Sequence, residues 1–348
     1  MQSVDVKIGS RLVGYGQPCY LITEVGTTCL GDMDYAHRLI DAAAEAGMDA
    51  VKFQMIDPEQ LSDPSVQYRF SAGGHEYSAN MKEMFTRLGF SDEQWRELRD
   101  ACLAKDVDFF ATVDYLDGVD RLEALDVPVH KMGSWDFTYR QLIEKIAATG
   151  KPLFVDLGPP DERQIEDFVR WFGEAGGTAV MFLHDFHTQD DWQINMRAVT
   201  HLKRSYPWPC GFSSPARDDD LDVAALALGA ACLEKRLILH RSDLAFHADQ
   251  SLEPAELKAW VARIRHIERS LGVEAVRPSD ADTAMSGEYY RSICTLEPVA
   301  KGEMFTTTNV GAKRPGSGLP TSRLPEVWGK CATCDILENT LLQWTDIR

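Results

Sequence analysis

Eight short apolar runs, at 19–25, 50–54, 108–113, 129–133, 152–158, 179–184, 209–214 and 232–239, recur along the chain with helical patterns between them. Most are continuous rather than alternating, which is how strands covered on both faces read. The intervening segments carry helix signals. Ala36, Leu39, Ile40 and Ala43 follow the i, i+3, i+4, i+7 rule and make one apolar face. Ser91 followed by Gln94 predicts a capping box, and Phe90 with Trp95 a hydrophobic staple at the same helix start. A last helix opens near Pro254, suited to a first turn, and presents Leu257, Trp260, Val261 and Ile264 on one face. Strands alternating with helices predict βα units and a parallel sheet. Eight in order read most economically as a closed (β/α)8 TIM barrel, although an open doubly wound sheet has the same local pattern.

Two stretches interrupt this rhythm. Residues 55–90 contain Pro58, Pro64 and the polar SAGGHEYSAN. A connection this long is usually functional or disordered, and because it follows a strand it falls on the face where barrels hold substrate. After Leu271 the helical pattern stops, and VEAVRPSDADTAMSGEYY reads as a linker. This divides the chain into a barrel over 1–275, a linker over 276–290 and a small β-rich domain over 291–348 with a Lys301-Gly302 turn and the run KRPGSGLP. Some 60 residues fold alone only marginally, so this last piece is expected to dock on the barrel or on a second subunit.

Charge narrows the function. Against 36 Lys and Arg stand 54 Asp and Glu, a net charge of −18 that disfavours nucleic acid and anionic membranes. An anionic substrate then needs a local cluster of cations. The N-terminal MQSVDVKIGSRLVGYG has no apolar signal region, making cytoplasmic residence the default expectation. The 8 cysteines are scattered, as in reduced proteins, and Cys331 and Cys334 lack a second pair for zinc.

Three apolar strands carry lysines: Lys52 in DAVKFQ, Lys131 in VHKMGS and Lys235 in CLEKRLIL. A buried unpaired ammonium costs several kcal/mol, so each must reach a carboxylate, water or an anionic ligand. One alternative is structural ion pairing with Glu24 and Glu234. The other is a shared site at the strand C-termini. Thr112, Ser134 and Ser213 stand at strand ends, where hydroxyls either cap the next helix or donate to phosphate oxygens. Asp136 is a candidate general acid or base, or a helix cap. His184 and His187 follow the sixth strand, and His240 and His247 the eighth, with no compact metal-ligand spacing.

On these residues the chain resembles the N-acetylneuraminate (sialic acid) synthase family, which includes spore coat polysaccharide biosynthesis protein E-like proteins. The resemblance runs almost end to end. It is carried jointly by VKFQ, KMGS after strand four, the EK of strand eight, SLEP and KRPGSG. It implies a barrel followed by a small antifreeze-like (SAF) domain in a domain-swapped homodimer, and condensation of phosphoenolpyruvate with an aldehyde amino sugar to a nonulosonic acid and phosphate, in surface polysaccharide biosynthesis. Carried over by motif, Lys52, Thr112, Lys131, Ser134 and Ser213 contact phosphoenolpyruvate and Gln54 lies nearby. Glu24, Asp136 and Glu234 match site carboxylates, and Arg314 reaches the sugar across the dimer. The resemblance also implies a divalent metal, Mn2+ or Mg2+, whose two histidine positions here are Pro215 and Arg236. Thr28 and Cys29 stand for an Asn-His pair, Asp185 and His187 for Asn and Tyr, and His247 for a sugar-binding Asp. The phosphoenolpyruvate half of the site is thus retained and the metal and sugar halves rebuilt. Arg236 is expected to supply part of the metal's charge. A metal relocated to Cys29, His184, His187 or His247 is one alternative. A silent relative that binds a sugar or phosphorylated ligand or regulates a true synthase is another, and a Schiff-base aldolase using a lysine a third.

Overall fold

The computed structural model describes residues 3–188 and 190–348. The chain divides into two compact units, Met1–Gly272 and Val273–Arg348. In the first, eight parallel strands close into a barrel in sequential order: β1 (Tyr20–Glu24), β2 (Ala50–Met55), β3 (Asp108–Val113), β4 (His130–Met132), β5 (Leu153–Leu157), β6 (Val180–His184), β7 (Gly211–Ser213) and β8 (Cys232–Arg236). Each predicted run coincides with one of them to within a few residues, and their closure makes the closed barrel prevail over the open sheet.

The helices around it are α1 (Met33–Ala46), α2 (Asp92–Leu103), α3 (Leu116–Ala124), α4 (Arg140–Ala147), α5 (Glu162–Glu174), α6 (Ala198–Ser205), α7 (Asp220–Leu228) and α8 (Pro254–Leu271). Ala36, Leu39, Ile40 and Ala43 are the buried face of α1, and Leu257, Trp260, Val261 and Ile264 that of α8. The capping box of α2 forms between Ser91 and Gln94, and the Phe90 and Trp95 rings meet edge-on with centroids 5.1 Å apart. At the barrel's N-terminal end, the hairpin Val6–Ile8/Arg11–Val13 brings Arg11 onto Asp49 and Asp108, and Tyr20 donates to Asp108.

The long connection after β2 is ordered into local structure: a turn of helix Pro58–Leu61, a hairpin Gln67–Ala72/His75–Asn80 and a helix Met81–Thr86. Its hairpin rests on the segment after β8, with Phe70 and Ala72 packed among Ile238, Ala245 and Ala248, and Tyr68 edge-on to Phe246.

The stretch read as a linker holds a helix, Asp280–Tyr289, capped by Ser279 and Asp282. Periodicity could not reveal it, because it buries no residue and so has no apolar stripe. The rest of the second unit has its own core, formed by Ile293, Val299, Phe305, Val310, Val327 and Leu342 beside the paired strands Ser292–Thr295 and Val310–Lys313. No described helix is long and apolar enough to cross a membrane.

Candidate active site

Alternation along the strands decides which polar side chains meet. Register aligns Arg236 with Glu24, Glu24 with Lys52, Gln54 with Thr112, and Thr112 with Lys131 around the C-terminal end of the barrel. Lys52 Nζ pairs with Glu24, lies 3.3 Å from Glu234 Oε1 and donates to Thr112 Oγ1 at 3.3 Å. Lys131 Nζ donates to Asp156 Oδ1 at 2.7 Å and to Glu234 Oε2 at 2.9 Å. Ser213 Oγ donates to Glu234 Oε1 at 3.4 Å. Lys52, Lys131, Thr112, Ser213, Glu24 and Glu234 thus form one connected, water-poor cluster, with the ion pairs to Glu24 and Glu234 as part of it.

Electrostatics sort its carboxylates. Burial alone would raise the Glu234 carboxyl, but Lys131 and Lys52 overcome it and hold it at about 2. Lys131 is itself disfavoured by burial, yet Asp156 and Glu234 keep it above the ordinary lysine value. Asp156 moves upward, from burial and then from the nearby Glu234 charge, against the pull of Lys131 and Lys52. Asp185, just past β6, is pushed up to about 7 by burial and by Asp156, with Arg236 opposing.

Around the rim, burial raises Asp136 to about 6. Asp114, directly after β3, rises to about 7 through burial and the charge of Asp136, and its Oδ1 has no hydrogen-bond partner. Ser134 is buried beside Asp136 in the same 3-10 turn. His187 lies 3.8 Å from Asp185 and against the Trp135 ring, centroids 4.9 Å apart. Burial first, then Arg236, lowers the pKa of His187, and the same causes with His187 and Lys52 bring His247 to about 3. Tyr68 of the inserted hairpin places its hydroxyl 3.4 Å from His247 Nε2. Beyond His187 a cleft of about 760 Å³ opens between the segments after β5 and β6, lined by Gly158, Pro159, Asp185, Gln193 and Asn195 among others. Trp135, 72% exposed, stands at its edge.

Gln54, paired in register with Thr112, lies close against Gly26. A Cβ built at Gly26 would come within 2.3 Å of the Gln54 amide nitrogen, so this approach of β1 to β2 requires glycine. Lys235 requires a correction. It points into the helix layer, where Nζ bonds Asp222 Oδ2 at 2.6 Å and the Asp218 carbonyl at 2.7 Å. The reason is the two-residue period of a strand: with Glu234 and Arg236 facing inward, Lys235 must face outward. Arg314 belongs to the second unit, where its Nε donates to the Tyr289 carbonyl at 2.7 Å. Asp156, Asp114 and Tyr68 are additions that the sequence reading missed. Asp156 carried the signal used for the lysines, an ionisable residue in an apolar strand. Asp114 adjoins a strand end, and Tyr68 had no local mark.

The site does not fit the divalent metal implied by the resemblance. A guanidinium is a permanent cation with no lone pair to offer, and Pro215 has no side-chain donor atom. Among the described residues no three His, Cys, Asp or Glu side chains are grouped to hold a metal ion, including Cys29, His184, His187 and His247. Cys29 is buried, which pushes its thiol up to about 12, and Thr28 spends its hydroxyl on the Leu237 carbonyl at 2.6 Å. His184 bonds the Ile194 carbonyl at 2.8 Å.

The three raised carboxyls Asp114, Asp136 and Asp185 predict a pH effect on stability. Each binds its proton more tightly folded than unfolded, so stability is present at low pH and declines as pH rises from about 4 through about 7. Glu234 acts oppositely, but only as pH falls from the ordinary glutamate range toward about 2. His187 and His247, held neutral, act in the opposite sense below the ordinary histidine range. The carboxyl contribution is therefore read between about pH 6.5 and pH 8, where the melting temperature is expected to fall as pH rises, by calorimetry in non-binding buffers.

A closed (β/α)8 barrel with an ionic cluster at its strand C-termini has the architecture of a barrel enzyme. The chain belongs to the NeuB family, whose model matches residues 39–275, and residues 290–348 match the SAF domain. An uncharacterized protein of Methanocaldococcus jannaschii is 30% identical over 98% of both chains. Human N-acetylneuraminate-9-phosphate synthase is 28% identical, over 92% of this chain and 90% of that one. The crystal structure of Bacillus subtilis spore coat polysaccharide biosynthesis protein SpsE superposes with a TM-score of 0.66 at 26% identity, covering 99% of each chain.

Proposed function

We propose that the protein condenses phosphoenolpyruvate with an aldehyde amino sugar, forming a nonulosonic acid and releasing phosphate. The observation that carries this is the convergence of Lys52, Lys131, Thr112 and Ser213, from four strands, on one buried cluster at the barrel mouth. Lysine and hydroxyl donors of this kind suit an enol phosphate carrying a carboxylate. In the reaction C3 of phosphoenolpyruvate bonds to the aldehyde carbon, and the aldehyde oxygen takes a proton. Water adds at C2, and the tetrahedral adduct expels inorganic phosphate by C–O cleavage. Asp136 and Asp114, raised toward neutrality, are suited to exchange protons with the aldehyde oxygen and the water. Arg236 supplies fixed positive charge near the developing alkoxide. The acceptor lies toward His187 and the cleft beside Trp135. In the same reading two copies exchange their second units, so that Arg314 of one chain serves the acceptor of the other, and the reaction proceeds in the cytoplasm.

One observation favours a second reading, a relative that binds a sugar without turning over phosphoenolpyruvate. Lys131 is already occupied by Asp156 and Glu234, which leaves no free cation for a phosphate at that point. Phosphate release from phosphoenolpyruvate with a panel of amino sugars, after exhaustive chelation, separates the two. The synthase reading expects sugar-dependent release that persists with chelator and is lost in Arg236→Gln. Saturable binding without release would support the second reading. Release that requires added Mn2+ or Mg2+ would sink the role given to Arg236.

A further inference from the structure

Three cations, Lys52, Lys131 and Arg236, share the barrel mouth with four carboxylates, Glu24, Asp156, Asp185 and Glu234. The lysines are not waiting for an anion, because each is held by carboxylates. A doubly charged ligand brought to Lys131 would meet Asp156 and Glu234 within hydrogen-bonding distance of the same ammonium. In a water-poor site that repulsion is weakly screened.

We propose that Asp156 sets the charge this site accepts: an anion takes the Asp156 position on Lys131 only together with one proton, which Asp156 receives. The proposal rests on the reading of the mouth as an anion site and adds its specificity-determining residue.

The geometry singles out Asp156 from its neighbours. Glu234 is anchored by Lys131, Lys52 and the Ser213 hydroxyl, so it keeps its charge. Asp156 has one cationic contact, at 2.7 Å through one oxygen. It is faced by Lys131 from β4, Lys52 from β2, Glu234 from β8 and Asp185 and His187 from the segment after β6, with Arg236 acting on the latter two. The histidines do not supply the proton, since His187 and His247 are both disfavoured as cations. Asp185 is predisposed to protonation but does not contact Lys131. No bond other than O–H changes. The proton comes from solvent, or from a phosphate monoester bound as its monoanion, whose second ionisation lies near pH 6. Once Asp156 is neutral its hydroxyl can donate to the anion, and Lys131 is released to do the same.

Sulfate tests this cleanly, because it stays divalent throughout the range used. Isothermal titration of the full chain with sulfate, in buffers of differing ionisation enthalpy, is expected to show uptake of about one proton per anion near neutral pH. Affinity is expected to fall about tenfold per pH unit between about pH 7 and pH 8. Asp156→Asn keeps the side-chain shape, and should abolish the uptake, flatten the pH dependence and bind sulfate more tightly than wild type at pH 8. Asp185→Asn should retain the uptake. Sulfate binding without proton uptake, or uptake lost in Asp185→Asn but retained in Asp156→Asn, would overturn the inference while leaving the anion site intact. If neither sulfate nor phosphoenolpyruvate binds wild type or Asp156→Asn at any pH, the anion site itself is wrong, and the inference falls with it.

Discussion

Lys131→Met is expected to lower affinity for phosphoenolpyruvate at least about a hundredfold and to cost about 3–5 kcal/mol of stability, the range for breaking a buried ion pair by removing one partner. Lys131 is fully buried and is the ammonium shared by Asp156 and Glu234. Without it, Asp156 has no cationic contact and Glu234 retains only Lys52 and the Ser213 hydroxyl. Two carboxylates in a dry site cannot both remain charged at neutral pH, so the variant should gain protons there. The sign follows: the deficit against wild type should be largest near pH 8 and shrink toward pH 5, where the orphaned carboxyls are protonated at little cost. Urea unfolding at the two pH values measures this. A deficit that does not vary with pH would mean that lost packing, not unpaired charge, is what the substitution reports. Adding Asp156→Asn to Lys131→Met should recover part of the stability and none of the binding.

The second large effect falls on the lysine that sequence reading placed in the site and the structure removes from it. Lys235→Met should destabilise by about 3–5 kcal/mol, because Asp222 would be left buried with its charge unmatched. Lys235 and Asp222 are almost wholly inaccessible, and Trp260 Nε1 donates to the same Asp222 oxygen at 2.9 Å. Asp222 is raised by burial and restrained chiefly by Lys235, so removing the lysine should drive it to the neutral acid. The double variant Asp222→Leu/Lys235→Met removes both charges and should be clearly more stable than Lys235→Met, as when buried pairs are replaced by apolar residues of similar volume. Neither variant should change affinity for phosphoenolpyruvate. A large loss of affinity in folded Lys235→Met would return that residue to the site. Trapping with pyruvate and borohydride bears on the same question, since a mass increase at Lys235 requires an unprotonated amine open to substrate.

Most of the barrel was legible because its signals are local. Continuous apolar runs mark strands covered on both faces, the spacing of Leu257, Trp260, Val261 and Ile264 marks a helix face, and Ser91 with Gln94 marks a helix start. The helix Asp280–Tyr289 escaped notice for the complementary reason, since with no buried face it has no pattern to read. Within the site, residue types and strand positions pointed to Lys52, Thr112, Lys131 and Ser213. They did not reveal Asp156, whose importance lies in what it touches.

By itself the sequence determined the order of eight βα units, the positions of their strands and caps, and the supply of cations and hydroxyls at the strand ends. All of these follow from spacing within a few residues. Only the tertiary structure decided that Lys235 turns away from the site, that Lys131 is matched by two carboxylates, and that Tyr68 reaches His247. Closing a barrel brings residues a hundred positions apart within 3 Å, as Lys131 and Glu234 show. The charge state of such a site belongs to the assembled ring of side chains, which no single segment of the chain contains.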